Sequence, residues 1–249
     1  MYSDKNVIVS GAASGIGKAC AERLLRDGNR IVAVDLDMAA LEAALGPGTD
    51  ALAHVAGDVA RTATAERAAA TALERFGGID GLAHFAAAHS KFDWERADED
   101  EFNRILSTNV TGSFLMAKEA AKSMIAHGGP GAIVLTASGG VLMGGTGEQG
   151  RGGPAYTTSK GGVLVLVRTL ARSWGKYGIR VNAISPGVVE TAMTAEYSPE
   201  AKASAASKAA LGRISQPEEQ AAAAIWLLSD EAGFITGENM HINGGAAFG

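Results

Sequence analysis

The sequence predicts an α/β protein built on one doubly wound parallel sheet of about seven strands, with helices on both faces. Three observations carry that reading. Short β-branched runs alternate with longer amphipathic stretches along all 249 residues, and parallel strands need such crossovers. The first run feeds straight into a glycine-rich turn and then a helix. No Pro/Ser-rich linker, charge run or repeat divides the chain, so residues 1–249 read as one domain.

In order, Lys5–Ser10 reads as a strand and Gly15–Asp27 as a helix, followed by strand Arg30–Asp35 and short helix Met38–Leu45. Ala51–Ala56 is a strand, Ala63–Phe76 a helix and Gly81–Phe85 a strand; a loop then leads into one long helix over about Glu99–Ala126. Strand Ala132–Ala137, helix Ala155–Tyr177, strand Arg180–Ile184, helix Glu218–Ser229 and strand Asn239–Ile242 complete the alternation. Two stretches look irregular. Gly139–Gly153 holds eight glycines among fifteen residues, too many for a regular element. Thr191–Arg213 is Ala/Ser-rich with little apolar periodicity. Both follow strands, and in a doubly wound fold the carboxyl ends of strands line the ligand crevice. Residues 190–213 are therefore read as a substrate loop, with a mobile surface loop as the alternative.

Composition excludes several classes. A net charge of -5, with no basic stripe, gives no footprint for nucleic acid or for an anionic membrane. Val7-Ile8-Val9 is too short for a signal-peptide core, and no apolar run approaches the roughly 20 residues of a membrane span. The single cysteine, Cys20, forbids an internal disulfide and fits a reducing compartment. A cytoplasmic protein is expected. The five histidines (His54, His84, His89, His127, His241) form no ligand-spaced cluster, so no metal site is expected.

The turn Ser10-Gly11-Ala12-Ala13-Ser14-Gly15-Ile16-Gly17 has the order that a phosphate-binding turn needs. Its glycines let backbone N–H groups approach a pyrophosphate, and the helix N-terminus adds unpaired donors. A tight turn without a ligand is the competing reading. An NTPase loop is excluded: Gly17-Lys18-Ala19 lacks the magnesium-binding hydroxyl, and Ala12 stands where the earlier glycine is required. Asp35 ends the second strand about 20 residues beyond the turn, where a carboxylate accepts both hydroxyls of an adenosine ribose and repels a 2′-phosphate. Ser14, Leu36 and Asp37 offer no cation for that phosphate. NAD is therefore favoured over NADP. A helix N-cap role for Asp35 is the alternative.

Tyr156 and Lys160 lie at i and i+4 on one predicted helix and share a face. Ser138 closes a strand, and Asn109 falls within the long helix. At this point the chain resembles the classical short-chain dehydrogenase/reductase family, in sequence order and over its whole length. Gly11-x-x-x-Gly15-x-Gly17 is similar to that family's cofactor turn, Asp58-Val59 to its adenine-contacting pair, and Tyr156-x-x-x-Lys160 to its signature. Pro186-Gly187, with Thr191 and with Asn182 just before, resembles the segment that holds the nicotinamide carboxamide.

The resemblance implies a Rossmann-like fold and a hydride transfer between NAD and a secondary alcohol or ketone. It implies Asn109, Ser138, Tyr156 and Lys160 as the catalytic set, with Tyr156 the general acid–base, Ser138 holding the substrate oxygen and Lys160 binding the nicotinamide ribose. Asn109 would position a water that links Lys160 to solvent. Gly11, Ser14, Gly15, Ile16, Gly17, Asp35, Asp58, Val59, Ala86, Pro186, Gly187, Val189 and Thr191 would bind cofactor alongside Tyr156 and Lys160. A tyrosine titrates near 10, so its use as a base requires a depression of roughly three units, about 4 kcal/mol. Lys160 and the oxidised nicotinamide would supply it.

Loop position assigns Leu142, Met143, Gln149, Met193 and Tyr197 to the substrate, together with Ser138 and Tyr156. These side chains are mostly apolar; Arg151 is the one cation among them. A weakly polar secondary alcohol or cyclic ketone is expected, with a sugar, a hydroxysteroid and an aromatic dihydrodiol left open. The all-round apolar run Val163-Leu164-Val165-Leu166-Val167 predicts burial on two sides, one against a partner subunit; the family resemblance makes that a homotetramer. A non-catalytic NAD(H) sensor on the same fold is the alternative function. An enoyl reductase would have a wider Tyr–Lys spacing, and an epimerase a longer chain.

The chain departs from the family at three places. His84-Phe85-Ala86-Ala87 replaces Asn-Asn-Ala-Gly at the end of the fourth strand, and a buried His84 bonded to neighbouring backbone is favoured over a catalytic one. A looped-out insertion, Gly144–Gly153, would account for the long Ser138–Tyr156 spacing. Asn243-Gly244-Gly245 stands where Asp-Gly-Gly is common.

Overall fold

The computed structural model describes residues 2–90, 92–147, 152–195 and 197–248. Strands β1 (Asn6–Ser10), β2 (Arg30–Asp35), β3 (Leu52–Ala56), β4 (Gly81–His84), β5 (Gly131–Thr136), β6 (Ile179–Pro186) and β7 (Asn239–Ile242) form one sheet in the order β3-β2-β1-β4-β5-β6-β7. Every pairing is parallel. The strand order reverses between β1 and β4, which opens a crevice at their carboxyl ends. The helices are α1 (Gly15–Arg26), α2 (Met38–Leu45), α3 (Thr62–Phe76), α4 (Glu99–Leu106), α5 (Gly112–Ala126), α6 (Gly140–Met143), α7 (Pro154–Trp174), α8 (Pro199–Lys208) and α9 (Pro217–Leu228).

Strand alternation splits the core in two. Ile8, Val32, Val34, Ile133 and Leu135 face a cluster completed by α3, α5 and α7. Val7, Val9, Ile31, Ala33 and Val134 face a second cluster completed by α1, α2 and α9. Strands buried on both faces read as continuous apolar runs, which is why their ends agree with the sequence expectation to within two residues. Among the described residues no helix is long and apolar enough to cross a membrane.

Three expectations need correction. The stretch read as one helix over 99–126 is α4, a π-helical turn at Ser107–Thr111, and α5. From the first turn of α5 the Ser113 hydroxyl donates back to the Asn109 carbonyl (2.6 Å), a back-bond that competes with the regular ladder. The glycine-rich stretch from 139 to 153 includes one helical turn, α6. The Ala/Ser-rich stretch from 191 to 213 is not irregular: it holds a 3₁₀ turn at Ala192–Thr194 and the ten-residue α8. Ser198 caps α8 by accepting from the Ala201 N–H, Pro199 begins it, and alanine propagates it. Because only Ala201 of α8 is buried, the helix leaves no apolar periodicity to read.

Candidate active site

A cleft of about 950 Å³ runs along the carboxyl ends of the strands. Each of Gly11, Ser14, Gly15, Ile16, Gly17, Asp35, Asp58, Val59, Ala86, Pro186, Gly187, Val189 and Thr191 lines it, as do Tyr156 and Lys160. The turn at its floor tolerates no side chain at Gly11 or Gly17. A Cβ on Gly11 (φ 67°) would stand 2.8 Å from the Ala86 nitrogen, and one on Gly17 would collide with the Gly11 carbonyl oxygen. The backbone is therefore bare where α1 begins, and Ser14, the N-cap of α1, makes no side-chain cap bond. Unpaired helix N–H groups favour an anion there.

Asp35 stands at the rim of this turn. Its Oδ2 accepts from the Ala13 N–H (2.9 Å) and its Oδ1 from the Leu36 N–H (2.8 Å). The N-cap of α2 is Asp37, which accepts from Ala40, so Asp35 is not the capping residue. Asp58 accepts from the Ala60 N–H (2.9 Å), which fixes its own turn.

At the other end of the cleft Pro154 starts α7, and its first two turns carry Tyr156 and Lys160. The Lys160 side chain is buried and donates to the Thr136 carbonyl (2.8 Å); its Nζ lies 5.7 Å from the centre of the Tyr156 ring. Burial pulls Lys160 down to about 7. Tyr156 and Ser138 are hydrogen-bonded despite their separation in sequence. The chain's own groups alone do not hold the Tyr156 phenol low. Burial pushes it up to about 12, the Ser138 bond opposes that rise, and Tyr197 adds to it. With its pKa drawn to about 7 by burial, Lys160 carries less charge at neutral pH than a full ammonium would.

Asn109 does not line the cleft. Its Oδ1 accepts from the Ala88 N–H (2.8 Å), while its Nδ2 donates to the Ala88 carbonyl (3.0 Å) and to the Ser159 hydroxyl (2.9 Å). The side chain thus clamps the loop after β4 to α7. His84 differs from expectation as well: its Nδ1 pairs with the Ser10 hydroxyl (2.7 Å), a side chain rather than backbone. Burial, with the Lys160 charge second, pulls it down to about 3.

Of the residues assigned to substrate, Met143, Met193 and Tyr197 line the cleft with Ser138 and Tyr156. Leu142 does not; α6 turns it outward and leaves it 44% exposed. Gln149 and Arg151 lie outside the described residues. Sequence reasoning missed His89, whose ring centre is 4.8 Å from that of Tyr156 at a 58° tilt. Its signal was only its place just beyond a strand's carboxyl end. Arg104 and Arg213 also line the cleft, each already paired, with Glu101 and Glu219. Among the described residues no group of three His, Cys, Asp or Glu could hold a metal ion.

Known proteins resemble this chain over nearly all of its length. A family model described as enoyl-(acyl carrier protein) reductase matches residues 11–247. The 2,5-dichloro-2,5-cyclohexadiene-1,4-diol dehydrogenase of Sphingobium indicum is 36% identical over 98% of this chain and 97% of its own. The D-threitol dehydrogenase of Mycolicibacterium smegmatis is 38% identical over 97% of this chain and 92% of its own. A short-chain dehydrogenase/reductase structure from Brucella melitensis, a glucose/ribitol dehydrogenase, superposes with a TM-score of 0.91 at 30% identity, covering 100% and 98% of the two chains. A 3-ketoacyl-(acyl-carrier-protein) reductase of the same organism, complexed with NADH, gives 0.89 at 29% identity over 99% of each chain.

Proposed function

The chain belongs to the classical short-chain dehydrogenase/reductase family of oxidoreductases, and we propose that it is an NAD-dependent dehydrogenase that interconverts a small secondary alcohol and its ketone. One observation carries this reading: the Tyr156–Ser138 contact stands beside Lys160 in the same cleft as the bare glycine turn and Asp35.

The residues fit a dinucleotide. Gly11, Gly15 and Gly17 with the N-terminus of α1 would hold the pyrophosphate, in a turn wound so closely that a Cβ on Gly11 or Gly17 would strike backbone. Asp35 accepts one backbone N–H on each oxygen, which leaves lone pairs for two ribose hydroxyls and negative charge against a 2′-phosphate. Asp58 and Val59 would flank the adenine. Val189 and Thr191 would line the nicotinamide end with Pro186 and Gly187. The NADH-bound neighbour supports the same reading. When bound, the nicotinamide accepts or delivers a hydride at the carbinol carbon.

This chain's residues manage the oxygen. The Ser138 hydroxyl donates to the substrate oxygen and holds it beside Tyr156, which exchanges the proton. Lys160, anchored on Thr136, stabilises the phenolate face of that exchange. A phenol at about 12 is a competent acid for ketone reduction; work as a base requires added positive charge near its oxygen. Asn109 acts by fixing the loop at Ala88, and a water held near Lys160 remains its proposed second duty.

Met143, Met193 and Tyr197 make the substrate wall mostly apolar. The similar dehydrogenases are named for a cyclic dienediol and for D-threitol, both of which carry secondary hydroxyls. The i, i+4 spacing of Tyr156 and Lys160 favours carbonyl over enoyl chemistry. The joint presence of Ser138, Tyr156 and Lys160 favours an enzyme over a sensor.

Absorbance at the reduced-nicotinamide band tests this, with NAD or NADP and a panel of secondary alcohols and ketones. Turnover with NAD that falls roughly a thousandfold in Tyr156→Phe, NADH binding being retained, is the expected result. Equal turnover in Tyr156→Phe removes the assignment.

A further inference from the structure

We propose that the turn after β7, residues 243–247, is a size-selecting wall of the substrate end of the cleft. Asn243 builds that wall by folding Ala246 and Ala247 back against the cleft. The proposal rests on the reading of Tyr156 and Ser138 given above.

The turn is made by an amide and a pair of glycines. Gly244 and Gly245 stand at φ 64° and 78°, consecutive left-handed residues that reverse the chain. The Asn243 side chain ties the returning chain to the outgoing one. Its Oδ1 accepts from the Gly245 N–H (2.9 Å), and its Nδ2 donates to the Ala247 carbonyl (2.8 Å). One bond needs an acceptor and the other a donor, which an amide supplies together. The carboxylate of an Asp-Gly-Gly sequence would keep the first bond and turn the second into a repulsion between oxygens. The glycines alone would reverse the chain; the asparagine fastens it.

The turn stands beside the reacting groups. The Gly187 N–H donates to the Ile242 carbonyl (3.0 Å), and a Cβ on Gly187 would lie 2.9 Å from the Asn243 Cα. On the other side, the Gly139 N–H donates to the Pro186 carbonyl (2.9 Å), and a Cβ on Gly139 would lie 4.0 Å from the Asn243 Cβ. Gly139 directly follows Ser138. Asn243 thus packs between the segment that leaves β6 and the segment that carries Ser138. From there Ala246 and Ala247 line the same cleft as Ser138 and Tyr156.

The end of the substrate loop braces the turn. The Gly244 carbonyl accepts from the Leu211 N–H (3.1 Å), and a Cβ on Gly245 would lie 2.9 Å from the Ala210 Cβ. Leu211 lines the cleft as well. The two segments therefore make one wall, apolar at Leu211, Ala246 and Ala247. With its backbone bonded on both sides, that wall yields little, and bulk added at 246 or 247 takes space from the cleft. A change of one methylene in such a wall separates substrates by about tenfold or more.

Initial rates with NAD on cyclohexanol and on decahydro-2-naphthol, which adds a second ring, test the proposal. The proteins are wild type, Asn243→Asp, Ala246→Leu and Ala247→Leu, and the readout is the ratio of the two kcat/KM values. Asn243→Asp keeps the Gly245 bond and releases the fold-back, so the ratio should move about tenfold toward the bicyclic alcohol. At least one leucine variant should move it about tenfold the other way. A turn that only supports the fold would lower both rates alike and leave the ratio in place. A ratio within about twofold of wild type in Asn243→Asp, or in both leucine variants, overturns the proposal. A shift of Asn243→Asp toward cyclohexanol overturns it too. The leucine variants keep Asn243 and its bonds, so they decide the matter if Asn243→Asp does not fold. Wild-type protein that binds NADH but oxidises neither alcohol, and reduces neither matching ketone, removes the reading of Tyr156 itself and this proposal with it.

Discussion

At the scale of single residues, burial decides the charge of the groups around Tyr156, and the direction differs with each group. Lys160 is pulled down to about 7 and Tyr156 is pushed up to about 12 because each is less stable charged when water is removed. His84 is the sharper case. Folded, its imidazole resists protonation to about pH 3; unfolded, it takes a proton near 6.5. Between those values the unfolded chain binds more protons, so the stability contributed by His84 is full above 6.5 and declines as acid is added. By pH 5 the loss is about 2 kcal/mol. Urea midpoints at pH 7.5 and pH 5 should therefore differ less in His84→Asn than in wild type; an unchanged acid limb would mean that other groups set it. At the opposite end of the cleft, Asp35→Ser removes the carboxylate while keeping a small acceptor for the Ala13 N–H. NADH should bind about tenfold more weakly and NADPH more tightly, as titrated by nicotinamide fluorescence. Tighter NADH binding in Asp35→Ser would defeat the ribose assignment.

At the scale of elements, the strands were legible because a strand buried on both faces is apolar along its buried positions, as residues 31–34 of β2 and 132–135 of β5 are. The glycine turn was legible for a related reason: Gly11 and Gly17 stand where only a hydrogen fits. α8 was hidden because an alanine helix that buries only Ala201 has no stripe. The π-helical turn was hidden because it arises from a Ser113 back-bond and from the reach of Asn109 to Ala88, neither of which has a periodic mark. His89 was hidden because its place depends on two loops brought together by the fold. The Asn109 clamp gives its own prediction. Asn109→Ala leaves both backbone groups of Ala88 without their partners, at a cost of roughly 1–3 kcal/mol. Thermal melts should show that loss, and kcat should fall with it because the loop that packs against Tyr156 loosens. A stable variant of full activity would refute the clamp.

For the whole molecule, one strand-order reversal between β1 and β4 makes the crevice, and the loops and helices above it supply its walls. The sheet therefore fixes where chemistry happens, and the walls fix on what. The outer face of α7 is a separate matter. Val163 and Val167 are buried, whereas Val165 is 62% exposed and Phe114 on the neighbouring α5 is 39% exposed. An apolar helix run with one uncovered side fits an interface between subunits. Sedimentation at micromolar concentration should find a homo-oligomer, by family resemblance a tetramer, and Val165→Asp should shift it to smaller species. A wild-type monomer would defeat that expectation.

The glycine-rich stretch beside Tyr156 brings Gly145 against Gly152, since a Cβ on Gly145 would collide with the Gly152 carbonyl oxygen. These two glycines, seven positions apart in sequence, thus stand at one point of the molecule. Lengthening a loop whose ends already meet costs only about 0.6 kcal/mol per doubling. Foreign segments of varied length can be spliced between Gly145 and Gly152, provided that both glycines stay. Such a library would diversify the mouth of the cleft while the sheet, the dinucleotide cradle and the reacting tyrosine remain as they are.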